Sequence, residues 1–219
     1  VNTNSFGYPS ECNLCKGDNE WQGLKVTAAF YKHGGERKLM LIGQDPTIRK
    51  DKDRVKAPLM LDDENSQISR WLKGIIRENL YKMTLYATNI VKCTFNMPPA
   101  NQADGGYKFL SKYFNNCKKY LFQEIEVFKP DMVITLGEPS HIFFMSLFDK
   151  TGKDYKMKND FTGKFEQMTS PNGREFFYSP CLHIQTFRVA ETYGNAVKSF
   201  KQGLKEILAE NNGFPPARE

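Results

Sequence analysis

The sequence predicts an α/β fold, a three-layer α/β/α sandwich around a central, mainly parallel sheet of four strands. Three observations carry this expectation. Short apolar runs alternate along the chain with longer stretches of helical periodicity. One run, "MVITL" at Met132 to Leu136, is almost continuously apolar, as a strand buried on both faces would be. Two of the runs stop at a glycine, Gly43 and Gly137, where a strand hands over to a loop.

In chain order, the strands are expected over Lys38 to Ile42, Thr84 to Val91, Met132 to Leu136 and Glu175 to Tyr178. The helices are expected over Asn65 to Asn79, Tyr107 to Phe128, Pro139 to Phe148 and Val189 to Glu210. In the first helix, Trp71, Leu72, Ile75 and Ile76 recur at helical spacing and mark a core face rather than a cofactor contact. Thr151 to Asn172, rich in Lys, Gly, Asp and Asn, reads as an insertion or long loop, and Gly213 to Glu219 as a frayed tail. There is no internal repeat, and residues 1–219 read as a single domain.

Composition bounds the function. With 219 residues and 40% apolar content the chain can bury a substantial core. No apolar run approaches the roughly 18 residues of a membrane-spanning helix. The start at Val1 carries no secretory leader, so the expectation is a soluble, intracellular protein of the cytoplasm, with no membrane partner. A net charge of +6, from 31 basic against 25 acidic residues, tilts mildly toward polyanionic partners.

Five cysteines are the next signal. Cys12 and Cys15 form C-x-x-C in "ECNLCKG", Cys93 follows a strand in "NIVKCTFN", Cys117 lies on a helix in "YFNNCKKYLF", and Cys181 stands apart. A C-x-x-C with two distant thiols can make a four-thiolate site for zinc or for an iron-sulfur cluster, and spacing alone does not separate the two. A redox C-x-x-C and plain buried thiols are the competing readings. A secreted disulfide framework is not needed in a chain of this length.

Six segments, in order, resemble one family. They are Cys12 with Cys15, "GQDPT" from Gly43 to Thr47, "TNIVKC" from Thr88 to Cys93, Cys117, "KPDMVITLG" from Lys129 to Gly137, and "PCLHIQ" from Pro180 to Gln185. Together they resemble the uracil-DNA glycosylase superfamily, most of all its iron-sulfur, family 4 type. The loop "GQDPT" is closer to the "GQDPY" form of the cluster-free family 1 enzymes, and three other positions depart from the pattern. Ile184 and Gln185 replace Pro and Ser after His183, and Leu59 in "KAPLMLDD" stands where a base-stacking Phe is expected.

The resemblance implies a monofunctional DNA glycosylase for uracil or a related deaminated base, acting as a monomer on DNA. It favours a [4Fe-4S] cluster on Cys12, Cys15, Cys93 and Cys117, with zinc as the alternative. Cutting a base from its sugar builds positive charge on the sugar and negative charge on the base, after the nucleotide has been flipped into a pocket. Asp45 is then the carboxylate that activates water or steadies the cation, and its competing role is a turn cap before Pro46. Asn89 is the amide that reads the base edge, and His183 the donor to the departing base. Gly43, Gln44, Pro46, Thr47 and Leu59 complete the base pocket, Thr47 replacing a Tyr that excludes the thymine methyl in family 1. Gln185, Phe187 and Arg188 contact DNA, Phe187 as a wedge and Arg188 on a phosphate, against the plainer reading of packing and capping. His33 and His141 carry no such role. The rival function is a superfamily relative that binds nucleic acid through the same site without turnover.

Overall fold

The computed structural model describes residues 12–17, 29–46, 57–76, 83–95, 97–102, 106–148, 150, 154–183 and 193–209. Its strands are β1 (Phe30–Lys32), β2 (Arg37–Gly43), β3 (Met83–Asn89), β4 (Met132–Leu136), β5 (Glu166–Thr169) and β6 (Glu175–Cys181). The helices are α1 (Gln67–Ile76), α2 (Gly106–Phe128), α3 (Glu138–Ser146), α4 (Met157–Asp160) and α5 (Gly194–Ala209), with short 3-10 turns at Pro58–Met60 and Pro99–Asn101.

The strands form one sheet in the order β1-β3-β2-β4-β6-β5. β3, β2, β4 and β6 run parallel in the centre, while β1 and β5 add antiparallel edges. The α/β expectation holds, but the sheet has six strands rather than four. β5, together with α4, lies inside the stretch expected to be a long loop. Its sequence, "EQMT", buries only Met168 and so carries little apolar signal. The pairing of Glu166 through Thr169 with Tyr178 back to Glu175 makes it a strand. The expected end of the last helix beyond Ala209, its start before Tyr193 and the tail from Gly213 lie outside the described residues.

Alternation along β2 explains the three layers. Met40 and Ile42 face a core shared with Phe109, Tyr113, Leu121 and Ile125 of α2 and Phe143 and Phe144 of α3. Leu39 and Leu41 face the opposite core with Ile68 and Leu72 of α1 and Phe200 and Leu204 of α5. A strand apolar on both sides can only be stable between two helical layers. Local chemistry starts the helices. The Ser66 hydroxyl accepts the Ser69 backbone N–H at 3.1 Å, satisfying one of the free donors at the start of α1. Before α3 the chain must turn with φ of +89° at Gly137, a conformation that costs a side-chain-bearing residue and not glycine.

The connections place a crevice. From β2 the chain passes through α1 on one face, and from β4 through α3 on the other. The loops leaving the carboxyl ends of these adjacent strands therefore diverge, which in open α/β sheets opens a ligand crevice between them.

Candidate active site

Four neighbouring parallel strands end on that side of the sheet, and three of them lead to residues expected at the site. Asn89 ends β3, Gly43 ends β2 and leads to Gln44, Asp45 and Pro46, Gly137 follows β4, and His183 follows β6. The ladder continues past the strands: Ile90 N–H donates to Gly43 O at 2.9 Å, and Val91 N–H to Gln44 O at 3.0 Å. The β2 loop is thus held against the β3 extension through backbone, leaving the side chains of Asp45 and Asn89 for other work. His183 lies beside Gly137, on the far side of the crevice from Asn89.

Asp45 is half-buried, and its Oδ1 accepts a hydrogen bond from Gln44 Nε2 at 2.7 Å. Loss of water around the carboxyl pushes its pKa up to about 6, and the Gln44 bond offsets only part of that rise. His183 keeps an exposed edge, but nearby protein withdraws enough water to lower its pKa, so the imidazole is neutral at neutral pH.

Asn89 is fully enclosed, and its Oδ1 has no hydrogen-bond partner among the described residues. A buried acceptor left without a donor is uncommon and points to a ligand that supplies one. Gly43 makes the opening beside it, since a side chain at Gly43 would collide with Asn89 Oδ1 and Leu59 Cδ2. Leu59 holds its position with φ of +59°, and Met60 follows at +53°. Left-handed backbone at two side-chain-bearing residues costs of order 1–3 kcal/mol each, and such strain clusters at ligand sites. Gly43, Leu59 and Asn89 therefore pack against one another. Thr47, Ile184, Gln185, Phe187 and Arg188 lie outside the described residues.

Cys93 and Cys15 lie within electrostatic reach of Cys117 on α2. Burial pushes the Cys117 thiol up to about 12, the backbone N–H and charge of Lys92 pull it down, and Cys93 and Cys15 raise it further. The Tyr120 hydroxyl lies 3.8 Å from Cys12 Sγ and within electrostatic reach of Cys117 and Cys93, while Asn116 Nδ2 donates to Cys15 Sγ at 3.3 Å. Among the described residues no three His, Cys, Asp or Glu side chains are drawn into a group that would hold a metal ion. Cys12, Cys15, Cys93 and Cys117 are free thiols, three of them buried, and thiolates are the donors that a thiophilic cofactor takes. Cys181 is separate, buried at the end of β6, and burial raises its pKa strongly.

Sequence reasoning missed a buried ion pair at the junction of these two sites. Lys92 and Glu124 are 1% and 0% exposed, with Nζ 2.6 Å from Glu124 Oε2. Lys92 Nζ also donates to Thr88 Oγ1 at 2.6 Å and to Asn89 O at 2.7 Å. Glu124 Oε1 accepts from Tyr86 OH at 2.8 Å and from Thr88 Oγ1 at 3.0 Å. Burial pushes the Glu124 carboxyl up, and Lys92, Tyr86 and Thr88 pull it back. The available signal was a lysine inside the apolar run "NIVKC" and a glutamate seven residues after Cys117, on the buried face of α2.

The fold is that of an α/β protein whose central parallel strands end beside a carboxylate, a buried amide and an imidazole. A sequence model of the Uracil DNA glycosylase superfamily matches residues 31–198, and the chain belongs to that superfamily. The Type-4 uracil-DNA glycosylase of Sulfurisphaera tokodaii is 23% identical over 208 residues, which cover 95% of this chain and 79% of that protein. The Type-4 uracil-DNA glycosylase of Saccharolobus solfataricus is 24% identical over 201 residues, covering 92% and 78% respectively. No described helix is long and apolar enough to cross a membrane.

Proposed function

We propose that the chain, as one domain and as a monomer of the cytoplasm, hydrolyses the bond between deoxyribose and uracil, or a related deaminated base, in DNA. The observation that carries this is Asn89 Oδ1, which has no partner among the described residues and is enclosed beside Gly43 on the strand next to Asp45. Uracil offers an imide N–H flanked by carbonyl oxygens, so one Asn amide can accept from the first and donate to the second. A base inside the stack cannot reach such a pocket, and the nucleotide must be flipped out of the duplex.

With the base held, the bond from the sugar C1′ to the base nitrogen breaks and its electron pair leaves with the base. Asp45, ionised above about pH 6, steadies the cationic sugar and takes a proton from the attacking water, whose oxygen bonds C1′. His183, neutral, donates an N–H to the base oxygen on which charge collects; one such donor is worth about 2.7–4 kcal/mol. Gln44 orients Asp45 through its amide, and Gly43, Pro46, Thr47 and Leu59 shape the pocket. Gln185, Phe187 and Arg188, on the segment after His183, supply the contacts that replace the flipped base and hold the strand. Cys12, Cys15, Cys93 and Cys117 would hold a [4Fe-4S] cluster, which when bound cross-links the amino-terminal segment to α2.

The test is incubation with a labelled oligonucleotide carrying one uracil, followed by alkali, which cleaves abasic sites. Strand cleavage that depends on uracil and falls by 10²-fold or more in Asp45→Asn supports the reading. DNA binding without cleavage would establish the rival function, a nucleic-acid binder.

A further inference from the structure

We propose that Lys92, locked to Glu124, is a positioning residue that fixes the base-reading Asn89 against the helix carrying Cys117. The inference rests on the glycosylase reading for what Asn89 does, and on the hydrogen bonds of Lys92 for how Asn89 is held.

Lys92 has three ammonium donors, and all three are used, on Thr88 Oγ1, Asn89 O and Glu124 Oε2 at 2.6–2.7 Å. Thr88 accepts from Lys92 and donates its own O–H to Glu124, so the hydroxyl has only one orientation. The backbone N–H of the same lysine goes to Cys117. One residue therefore grips α2 at two points two helical turns apart, Cys117 and Glu124, while its side chain returns to the carbonyl of Asn89.

Stability does not explain such an arrangement. Removing an ammonium and a carboxylate from water offsets most of their attraction, and apolar replacements of equal volume are commonly as stable. What the pair supplies is a single geometry, because the ammonium is held on three sides and Glu124 is gripped at once by Lys92, Thr88 and Tyr86. The group so fixed is the last residue of β3, whose amide must meet a base edge within a few tenths of an ångström. Lys92 is almost wholly buried, and it acts through Asn89.

The experiment replaces the pair as a unit, Lys92→Met with Glu124→Met, which leaves no lone buried charge. Two readouts are taken on the full chain. The first is a double-mutant cycle on uracil excision: the paired substitution should lower kcat/KM by about tenfold in the wild-type background and have no further effect in Asn89→Ala. The second, independent of activity, is amide hydrogen exchange. Ile90 and Val91, which bond to Gly43 and Gln44, should exchange about tenfold faster, while Val133 and Ile134 of β4 stay unchanged.

An additive cycle, or exchange that quickens uniformly across the sheet, would overturn the proposal by showing a general loss of stability. Should the wild-type protein excise nothing, the glycosylase reading fails. The exchange pattern then decides alone whether Lys92 positions Asn89. If the paired variant does not fold, Lys92→Arg is used: it keeps the charge but not the compact three-donor geometry, and unchanged exchange at Ile90 and Val91 in it overturns the proposal.

Discussion

The Oδ1 of Asn89 occupies the space that a side chain on Gly43 would need. The two residues are directly paired in the β2/β3 ladder, so neither can retreat without breaking the sheet at its centre. The pocket wall therefore depends on the absence of a single methyl group.

Gly43→Ala should force Asn89 or Leu59 aside. Overpacking of this kind costs about 1–3 kcal/mol of stability, and the displaced amide should lower excision by about 10²-fold. A denaturant melt with a single-turnover assay checks both. Full activity in a destabilised Gly43→Ala protein would place the base elsewhere.

Asp45 predicts a pH profile. Its carboxyl works ionised, so kcat/KM should rise with pH through about 6 and then level. Stability should show the reverse. Because the folded-state pKa lies above the ordinary 3.8, the folded chain prefers the protonated acid; that contribution is complete below pH 3.8 and is lost as pH rises through about 6. Asp45→Asn should therefore stabilise the protein above pH 6 while disabling it. The full rise in pKa corresponds to roughly 3 kcal/mol, and because the residue is part-exposed about 1–2 kcal/mol is expected. Thermal melts of the two proteins at pH 4 and pH 7.5 test the sign.

His183→Ala should slow excision by about 10²- to 10³-fold, with little change in affinity for DNA, since the donor acts on charge that develops only as the base departs. Equal losses in binding and rate would make His183 a DNA contact instead.

Protein purified without oxygen should be brown. Cys93→Ala or Cys117→Ala should bleach it and reduce solubility, because a bound cluster ties residues far apart in sequence. Colourless protein with one zinc per chain would replace iron by zinc in the same four thiols.

Affinity for DNA should fall steeply with salt, the slope of log affinity against log concentration counting the phosphates neutralised. An affinity flat from low to moderate salt would remove DNA as the partner.

By itself the sequence determined the α/β class, the four central strands and the rim residues. Each of these is written locally, in the period of β2, in the glycines that end strands, and in short motifs that keep Asn89 four residues from Cys93. Tertiary structure alone decided the edges and the inner connections. β1 and β5 are three- and four-residue segments with little apolar pattern, and become strands only by pairing with β3 and β6. Lys92 and Glu124 look like surface charges until β3 and α2 meet. Only the packed state removes their water, and a buried charge then survives by finding its opposite 32 residues away. The enclosure of the Asn89 amide, unpartnered at Oδ1 among the described residues, belongs to the same category, because burial is a property of the surroundings that folding assembles.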